Sequence, residues 1–318
     1  MLGLRTRCGV HRVFLLPKIK LKCKFAIALI ALWLYNVAIG LRRVKRLKQL
    51  ISGGGVLDIR NLENLLQENF GSDFSAFKEI DSTSSYLRRE AASLPDGYFA
   101  CALSQTAGRG RHGKTFVSPR GGIYLSLLLR PQCSAEDACA MTAYAAVAVC
   151  RAIEKTCNVS PQIKWVNDII LGGKKICGIL SELVFSDDGG IQYIIIGAGI
   201  NANVAAENFA GELSAIAGSV CEHTNTPVDE ENLTLALIEN LRSVLSAFPD
   251  NRREILAEYR ERCATIGKEI RICENGGTVH AFAEAVDDDF RLVVTDKDGA
   301  RRILLGGDVS VRGLCGYI

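Results

Sequence analysis

The chain has 318 residues, of which 48% are hydrophobic and 23% are charged, as is ordinary for a globular protein with a sizeable core. The formal net charge of +3 hides an asymmetry, because residues 1–50 carry 12 of the 38 Lys and Arg residues and no acidic residue. The other residues therefore hold 26 basic and 35 acidic side chains. This acidic balance argues against a nucleic-acid partner, which requires a basic face.

The twelve cysteines form no CxxC pair and no cluster with histidine at the spacing of a zinc site. Cys139, Cys150 and Cys157 fall in one apolar, helix-like run, and Cys177 falls in a strand-like run. Such cysteines are typical of a reducing compartment, where they serve as small hydrophobic residues. We therefore expect a cytoplasmic protein.

The first 55 residues differ from the rest of the chain. Residues 25–41 are an apolar run of 17 residues in which Asn36 is the only strongly polar side chain, and this length is the lower limit for a membrane-spanning helix. Cations flank the run on both sides, so the positive-inside rule assigns no orientation. Residues 1–55 are either a membrane anchor that leaves the catalytic part in the cytoplasm, or not a native part of the protein. We favour a native start near Val56 and do not expect a membrane partner.

A globular pattern begins after this region. Leucines at near-helical spacing predict an amphipathic helix over residues 57–69. Residues 77–80 have the character of a short strand. The polar run at residues 81–85 then provides N-cap groups for a helix over residues 86–93.

A glycine-rich cationic loop, residues 104–119, joins two predicted strands at residues 98–103 and 123–129. Its sequence is SQTAGRGRHGKTFVSP. Glycine lets the backbone approach a ligand closely, and cations beside bare amides form an anion site. The spacing is neither that of a P-loop nor that of a dinucleotide-binding turn. Because a solvated hairpin loop has the same composition, the loop alone leaves both interpretations open.

The second half of the chain alternates helices and strands. Ser134 is placed to cap a helix that runs to about Cys157 and is apolar on nearly all sides, so it should be buried against a sheet. Strands are predicted at residues 163–166, 169–171, 175–185 and 191–196, and helices at residues 231–248 and 252–266. From residue 267 onward, five short strands with tight turns indicate a small β-barrel.

Four motifs carry unusual polar groups or glycines at predicted strand ends. They are DSTS at residues 81–84, GRGRHGK at residues 108–114, KWVND at residues 164–168 followed by GGKKICGILSE at residues 172–182, and GAGIN at residues 197–201. Together, and in this order, they resemble the motifs of the biotin protein ligases. The family carries a GRGR loop, KWPND, a Lys-x-x-Gly-Ile strand with a following glutamate, and GAGIN. The resemblance spans Phe77 to the C-terminus.

This resemblance implies an α/β (α+β) fold with two domains. A catalytic domain, residues 56–266, would contain a mixed β-sheet flanked by helices, and residues 267–318 would form an SH3-like barrel. The implied activity is that of an ATP-dependent ligase, which forms biotinyl-5'-AMP from biotin and ATP and then biotinylates a lysine of a biotin carboxyl carrier protein. Biotin, ATP and Mg²⁺ are the implied ligands, since cations and Mg²⁺ must screen the two anions that react.

The resemblance also implies roles for individual residues. Lys175 and Arg111 would be catalytic, with Lys175 meeting the biotin carboxylate and Arg111 holding the reactive intermediate. Asp168 would bind Mg²⁺, which favours one or two carboxylates plus phosphate oxygens. The other implied contacts are with biotin, from Ser82, Thr83, Ser84, Gln105, Arg109, Gly110, Arg111 and Lys175, and with the nucleotide, from Arg111, Phe116, Asn167 and Asn201.

Each of these residues also has a purely structural interpretation. Ser82 and Thr83 are of the type that caps helices, Asp168 is common in turns, and Lys175 has the character of a solvated lysine on a sheet edge. It is the ordered set that favours the ligase.

The sequence departs from the family in places. Phe116 stands where some members have a tryptophan that packs against the adenine, and a phenylalanine ring can still stack there. Val166 replaces the proline of KWPND. About twenty residues separate Gly55 from Phe77, too few for the winged-helix domain of the members that act as repressors, so DNA binding is not expected.

Other functions stay open at this stage. The chain could be a lipoate or octanoate ligase or transferase, although the GRGR loop and the appended barrel favour biotin. It could also be a non-catalytic sensor of biotin or biotinyl-AMP, or a membrane-tethered protein whose N-terminal helix is its main role. Exposed edge strands of the sheet would allow two subunits to pair side by side as a homodimer.

Overall fold

The computed structural model describes residues 57–274, 277–306, 310–313 and 317. The predicted N-terminal extension, residues 1–55, lies outside these residues.

A mixed sheet of seven strands forms the framework of the catalytic region. In spatial order the strands are β1 (Phe74–Phe77), β2 (Phe99–Ala102), β3 (Ile123–Leu129), β7 (Ile191–Ile200), β6 (Lys174–Phe185), β5 (Asp168–Leu171) and β4 (Gln162–Lys164). The β1–β2 pair is parallel, and every other neighbouring pair is antiparallel. The edges of the sheet are therefore β1 and β4.

The helices of this region pack around the sheet. They are α1 (Ile59–Phe70), α2 (Thr83–Glu90), α3 (Ala135–Cys157), α4 (Leu213–Ile216), α5 (Glu230–Ser246) and α6 (Arg252–Arg262). Ser134 caps α3 as predicted, because its hydroxyl accepts a hydrogen bond from the amide of Asp137 at 3.0 Å. The helix is apolar nearly all round and contacts both the sheet and the helices α5 and α6. Its burial thus joins the two layers in one core.

Local signals misplaced several boundaries. The helix predicted over residues 252–266 ends at Arg262. The first strand ends at Phe77 instead of beginning there, and Ile80 forms only an isolated bridge with Gln105. Helix α2 begins at Thr83 because Ser82 is its N-cap. Strand β7 continues through the glycines of the GAGIN motif as far as Ile200. Pairing with distant segments sets the ends of β1 and β7, whereas the local cap at Ser82 sets the start of α2.

The C-terminal domain is an antiparallel sheet of five strands. In spatial order they are β11 (Arg301–Leu304), β10 (Leu292–Asp296), β9 (Gly277–Val286), β8 (Glu269–Glu274) and β12 (Ser310–Gly313). The predicted fold class, a mixed-sheet catalytic domain followed by a small β domain, is confirmed. None of the helices in the described part of the chain is both long and apolar enough to cross a bilayer.

Two fully buried tyrosines offer a matched test of the core. The hydroxyl of Tyr259 donates to the carbonyl oxygen of Val166 at 3.1 Å, whereas the hydroxyl of Tyr144 has no hydrogen-bond partner among the described residues. We therefore expect Tyr259→Phe to lower the free energy of unfolding by about 1 kcal/mol. Tyr144→Phe should not lower it. Urea unfolding of the two variants provides the measurement, and equal losses would contradict the assignment.

Candidate active site

One cavity brings the predicted motifs together. It has a volume of about 450 Å³. Its lining includes all of the predicted site residues, which are Ser82, Thr83, Ser84, Gln105, Arg109, Gly110, Arg111, Phe116, Asn167, Asp168, Lys175 and Asn201. Segments that are far apart in the sequence therefore meet at a single site.

Small polar side chains form one part of the wall. The backbone amide of Thr83 donates to Oε1 of Gln105 at 2.9 Å, and the Thr83 hydroxyl lies 2.7 Å from the hydroxyl of Ser126. Ser84 lies 2.9 Å from the same Ser126 hydroxyl. Ser126 is fully buried on β3 opposite Gly197, where a Cβ would come within 2.7 Å of the Ser84 hydroxyl. The result is a connected set of donors and acceptors facing a cavity.

Ser126 was not predicted from the sequence. Its one available signal is that it is the only small polar residue in the strand IYLSLLL. The structural interpretation of Ser82 also holds in part, since Ser82 caps α2 while lining the cavity.

The cationic loop folds back on itself as a hairpin. The amide of Gly110 donates to the carbonyl of Lys114 at 2.7 Å, and the amide of Phe116 donates to that of Gly108 at 2.9 Å. A Cβ on Gly108 would lie 2.3 Å from the carbonyl oxygen of Phe116. Because backbone atoms cannot yield to such a contact, only glycine fits at this position.

Arginine side chains tie the loop to three other segments. Arg111 donates to Oδ1 of Asn167 at 3.0 Å and also to the carbonyl oxygen of Gly306 in the C-terminal domain. Arg109 forms an ion pair with Glu182 on β6 at 2.9 Å. The loop is thus bound to the KWVND segment, the C-terminal domain and the sheet.

Phe116 lies against a pair of glycines on the sheet. Gly178 on β6 and Gly199 on β7 are register partners. A Cβ on Gly199 would lie 2.5 Å from Cε1 of the Phe116 ring, and a Cβ on Gly178 would lie 3.1 Å from Cε2. The Lys175 ammonium lies 5.9 Å from the centre of this ring. The glycines of two motifs therefore leave room for an aromatic ring beside the lysine.

Charged groups meet at the start of β6. The Lys175 ammonium lies 2.6 Å from Oδ1 of Asp168, and the hydroxyl of Tyr317 donates to Oδ2. The Lys164 ammonium lies 3.4 Å from the centre of the Tyr317 ring, a close cation–π contact. Tyr317, from the end of the chain, carries no sequence signal of a role at this site.

Asp168 is held in its anionic form. Burial alone would raise the pKa of this carboxyl, but the charge and hydrogen bond of Lys175 and the hydrogen bond from Tyr317 outweigh it and hold the pKa below its usual value. The Lys175 side chain is thus paired with an internal carboxylate. An anionic ligand that reaches this lysine must compete with Asp168 for it.

Comparisons with known proteins decide the family. The sequence model of the Biotin/lipoate A/B protein ligase family matches residues 76–201, and that of the Biotin protein ligase C terminal domain matches residues 265–312. The chain is 31% identical over 237 residues to the biotin--[acetyl-CoA-carboxylase] ligase of Paracoccus denitrificans, a match that covers 73% of this chain and 98% of that protein. The chain belongs to the biotin protein ligase family.

Two further relatives support this membership. The bifunctional ligase/repressor BirA of Bacillus spizizenii is 30% identical over 238 residues, which are 71% of each chain. The structure of the biotin protein ligase from Aquifex aeolicus in complex with biotin and ATP aligns with a TM-score of 0.66 at 25% identity. That alignment covers 76% of this chain and 99% of the Aquifex chain. The fold, a mixed sheet with helices and a small C-terminal antiparallel sheet, is therefore that of the biotin protein ligases.

The donor set bears on how this family member could hold magnesium. The described residues contain no group of three or more His, Cys, Asp or Glu side chains that could hold a metal. Both oxygens of Asp168 already accept contacts from Lys175 and Tyr317. These residues do not fit a metal held by the protein alone. They fit an ion that takes most of its ligands from nucleotide phosphates and one from Asp168.

Asn201 has a half-satisfied amide in the cavity wall. Its Nδ2 donates to the carbonyl of Gly218 at 3.0 Å, but its Oδ1 is buried and has no partner among the described residues. A buried acceptor without a donor is costly. The side chain is therefore suited to accept a hydrogen bond from a molecule in the cavity.

Proposed function

We propose that the chain is an ATP-dependent biotin protein ligase, which forms biotinyl-5'-AMP and transfers the biotinyl group to a lysine of a biotin carboxyl carrier protein. The observation that carries this proposal is the cavity, where a hydrogen-bonding wall at Thr83, Gln105 and Ser126 shares one space with Arg111 and Lys175. The ureido ring of biotin needs such donors and acceptors, and a carboxylate or phosphate needs such cations.

The first step joins biotin to the nucleotide. A carboxylate oxygen of biotin attacks the α-phosphorus of ATP, the bond to the β-phosphate oxygen breaks, and pyrophosphate leaves. Both reactants are anions, so charge stabilisation is the main requirement. Lys175 supplies it once its ammonium turns from Asp168 to the ligand, and Arg111 supplies a second cation from the loop.

The second step transfers the acyl group. A neutral lysine amine of the carrier attacks the acyl carbon of biotinyl-5'-AMP, AMP leaves, and the amine nitrogen loses its proton. Until then the mixed anhydride must be kept from water. The arginine contacts of the loop with Asn167 and Gly306 support a role in enclosing this intermediate.

Several narrower features belong to the same proposal. Mg²⁺ would arrive with the ATP phosphates and contact Asp168, and ligand contacts of Phe116, Asn167 and Asn201 would lie on the nucleotide side. The protein would act in the cytoplasm. Its catalytic domain would end at Ile266, and the C-terminal domain would begin at the next residue. Two copies would pair side by side through the edge strand β1, because the backbone of Ile163 in β4 already bonds Ala264. Light scattering of the purified protein would test this pairing.

Labelling of a carrier domain tests the activity. The purified protein, a carrier domain, ATP and biotin should give a product that streptavidin detects, and omission of ATP should abolish it. Modification with lipoate or octanoate but not with biotin would identify the related acyl transfer instead. Biotin binding without pyrophosphate exchange would indicate a sensor.

Arg111→Gly should loosen retention of the intermediate. Without the guanidinium the loop loses its contacts with Asn167 and Gly306, so biotinyl-5'-AMP should escape and acylate exposed lysines of unrelated proteins. We expect labelling of bovine albumin to rise at least about tenfold over wild type, because two charge-assisted hydrogen bonds that hold the loop are lost. Streptavidin blotting provides the measurement. Unchanged albumin labelling at normal adenylation would contradict this role.

A further inference from the structure

The guanidinium of Arg109 is paired with Glu182, a carboxylate that does not line the cavity. The side chain contributes to the cavity wall, but its Nη2 lies 2.9 Å from Oε1 of Glu182 and its Nη1 lies 3.2 Å from Oε2. This two-pronged geometry is the strong form of an arginine–carboxylate pair. The guanidinium is thereby occupied by an internal carboxylate.

Glu182 is shared between two elements. Arg88 on α2 lies 2.9 Å from the same Oε1. The Glu182 side chain is 12% exposed, whereas those of Arg88 and Arg109 are 45% and 41% exposed. One nearly buried carboxylate therefore holds two guanidiniums, which would repel each other without it.

The geometry points to Glu182 as a positioning residue that fixes the cationic loop over the cavity through Arg109. In this role Arg109 anchors the loop and does not contact the carboxylate of biotin. A loop that is already in place loses less conformational freedom when a ligand binds, and affinity rises accordingly. The inference deepens the proposed function and rests on it, since it concerns the loop that would enclose biotin.

Glu182→Gln is the direct test, because it keeps the shape of the side chain and removes its charge. We expect the KM for biotin to rise about 5- to 20-fold, which lies between the small effect of an exposed ion pair and the large effect of a buried one. The kcat at saturating biotin should stay within about twofold, because Glu182 contacts no reacting atom. In the ligand-free protein, trypsin should cleave the loop at Arg109, Arg111 or Lys114 about tenfold faster. The reason is that the loop is detached from the sheet in a larger fraction of the molecules.

Arg88→Gln is the matched control. It removes the competing guanidinium and leaves Glu182 to Arg109, so neither the KM nor the trypsin rate should rise. If Glu182 merely held α2 in place through Arg88, this variant would reproduce the effects of Glu182→Gln. That result would overturn the inference.

A double-mutant cycle separates an anchor from a ligand contact. If Arg109 acts only through Glu182, adding Arg109→Gln to Glu182→Gln should leave the KM for biotin unchanged within about twofold. A further rise equal to that of Arg109→Gln alone would show a direct contact with the ligand and overturn the assignment. The trypsin comparison needs no biotin. It therefore still decides the role of Glu182 if the wild-type protein fails to use biotin and the proposed function falls.

Discussion

Lys175→Ala should lower the rate of biotinyl-5'-AMP formation by about 10²- to 10³-fold, the usual loss when a charge-stabilising donor is removed from an active site. Lys175 is the cavity cation that contacts Asp168, and it lies beside the Phe116 ring. Biotin-dependent exchange of labelled pyrophosphate into ATP measures this step without a carrier. Exchange at close to the wild-type rate would show that the assignment of Lys175 is wrong.

The neighbouring lysine provides the control. Lys174 precedes Lys175 in β6, but its ammonium lies 3.6 Å from Glu222 and its side chain is 42% exposed, against 24% for Lys175. Lys174→Ala should therefore leave pyrophosphate exchange within about twofold of wild type, because an exposed ion pair contributes little. Equal losses of exchange rate in the two variants would mean that the positive charge of either lysine matters and that the position of Lys175 in the cavity does not.

A folding control is also needed. Lys175→Ala leaves the Asp168 carboxylate buried without its cation, which is destabilising. The double variant Asp168→Asn/Lys175→Met removes both charges and should recover part of the lost Tm. It should still be inactive in exchange. Recovery of activity with stability would mean that Lys175 serves only to neutralise Asp168.

The helices and strands that were predicted from the sequence are those whose signals lie within a short stretch of the chain. Helix α3 follows from one cap and one apolar run, and strand β6 from a run of twelve residues after a glycine turn. Most of the predicted site residues lie in the four motifs, and the other two, Gln105 and Phe116, lie in the loop of residues 104–119. It was the resemblance to a family, and not local chemistry alone, that predicted them as a set, and they line one cavity.

The residues that were missed depend on tertiary contacts. Ser126 matters because β3 lies between β2 and β7, and Tyr317 because the end of the chain reaches Asp168. Glu182 belongs to a recognised motif, but its partner Arg109 is on a loop far away in sequence. The course of β7 through Gly199 could not be predicted either, since glycine disfavours strands. Pairing with β3 and β6 keeps this segment extended, and the Phe116 ring leaves no room for a Cβ at Gly199. No local pattern contains this information.

Among the substitutions proposed for this chain, Arg262→Ala should destabilise the fold most, with a loss of about 3 kcal/mol in the free energy of unfolding. Arg262 on α6 bonds both oxygens of Glu154 on α3 at 2.7 Å and also Glu258 at 2.9 Å. Its side chain is only 17% exposed. Removing one partner of a buried ion pair typically costs about 3–5 kcal/mol, and partial exposure places this case at the lower end. Arg253→Ala is the matched control, since Arg253 is an exposed arginine of α6 with no ion pair among the described residues, and it should change stability by less than about 0.5 kcal/mol.

The effect of Arg262→Ala should also depend on pH. Burial alone would raise the pKa of Glu258, but hydrogen bonds from Arg151 and Arg262 outweigh it and hold the pKa below its usual value. A carboxyl with a lowered pKa stabilises the fold above its unfolded pKa, about 4.3 for glutamate, and loses that contribution as the pH falls through the folded value. The stability difference between wild type and Arg262→Ala should thus be constant near neutral pH and shrink below pH ~4. Urea unfolding across this range provides the measurement. A difference that persists undiminished in acid would mean that Arg262 stabilises α6 by packing and not by its ion pairs.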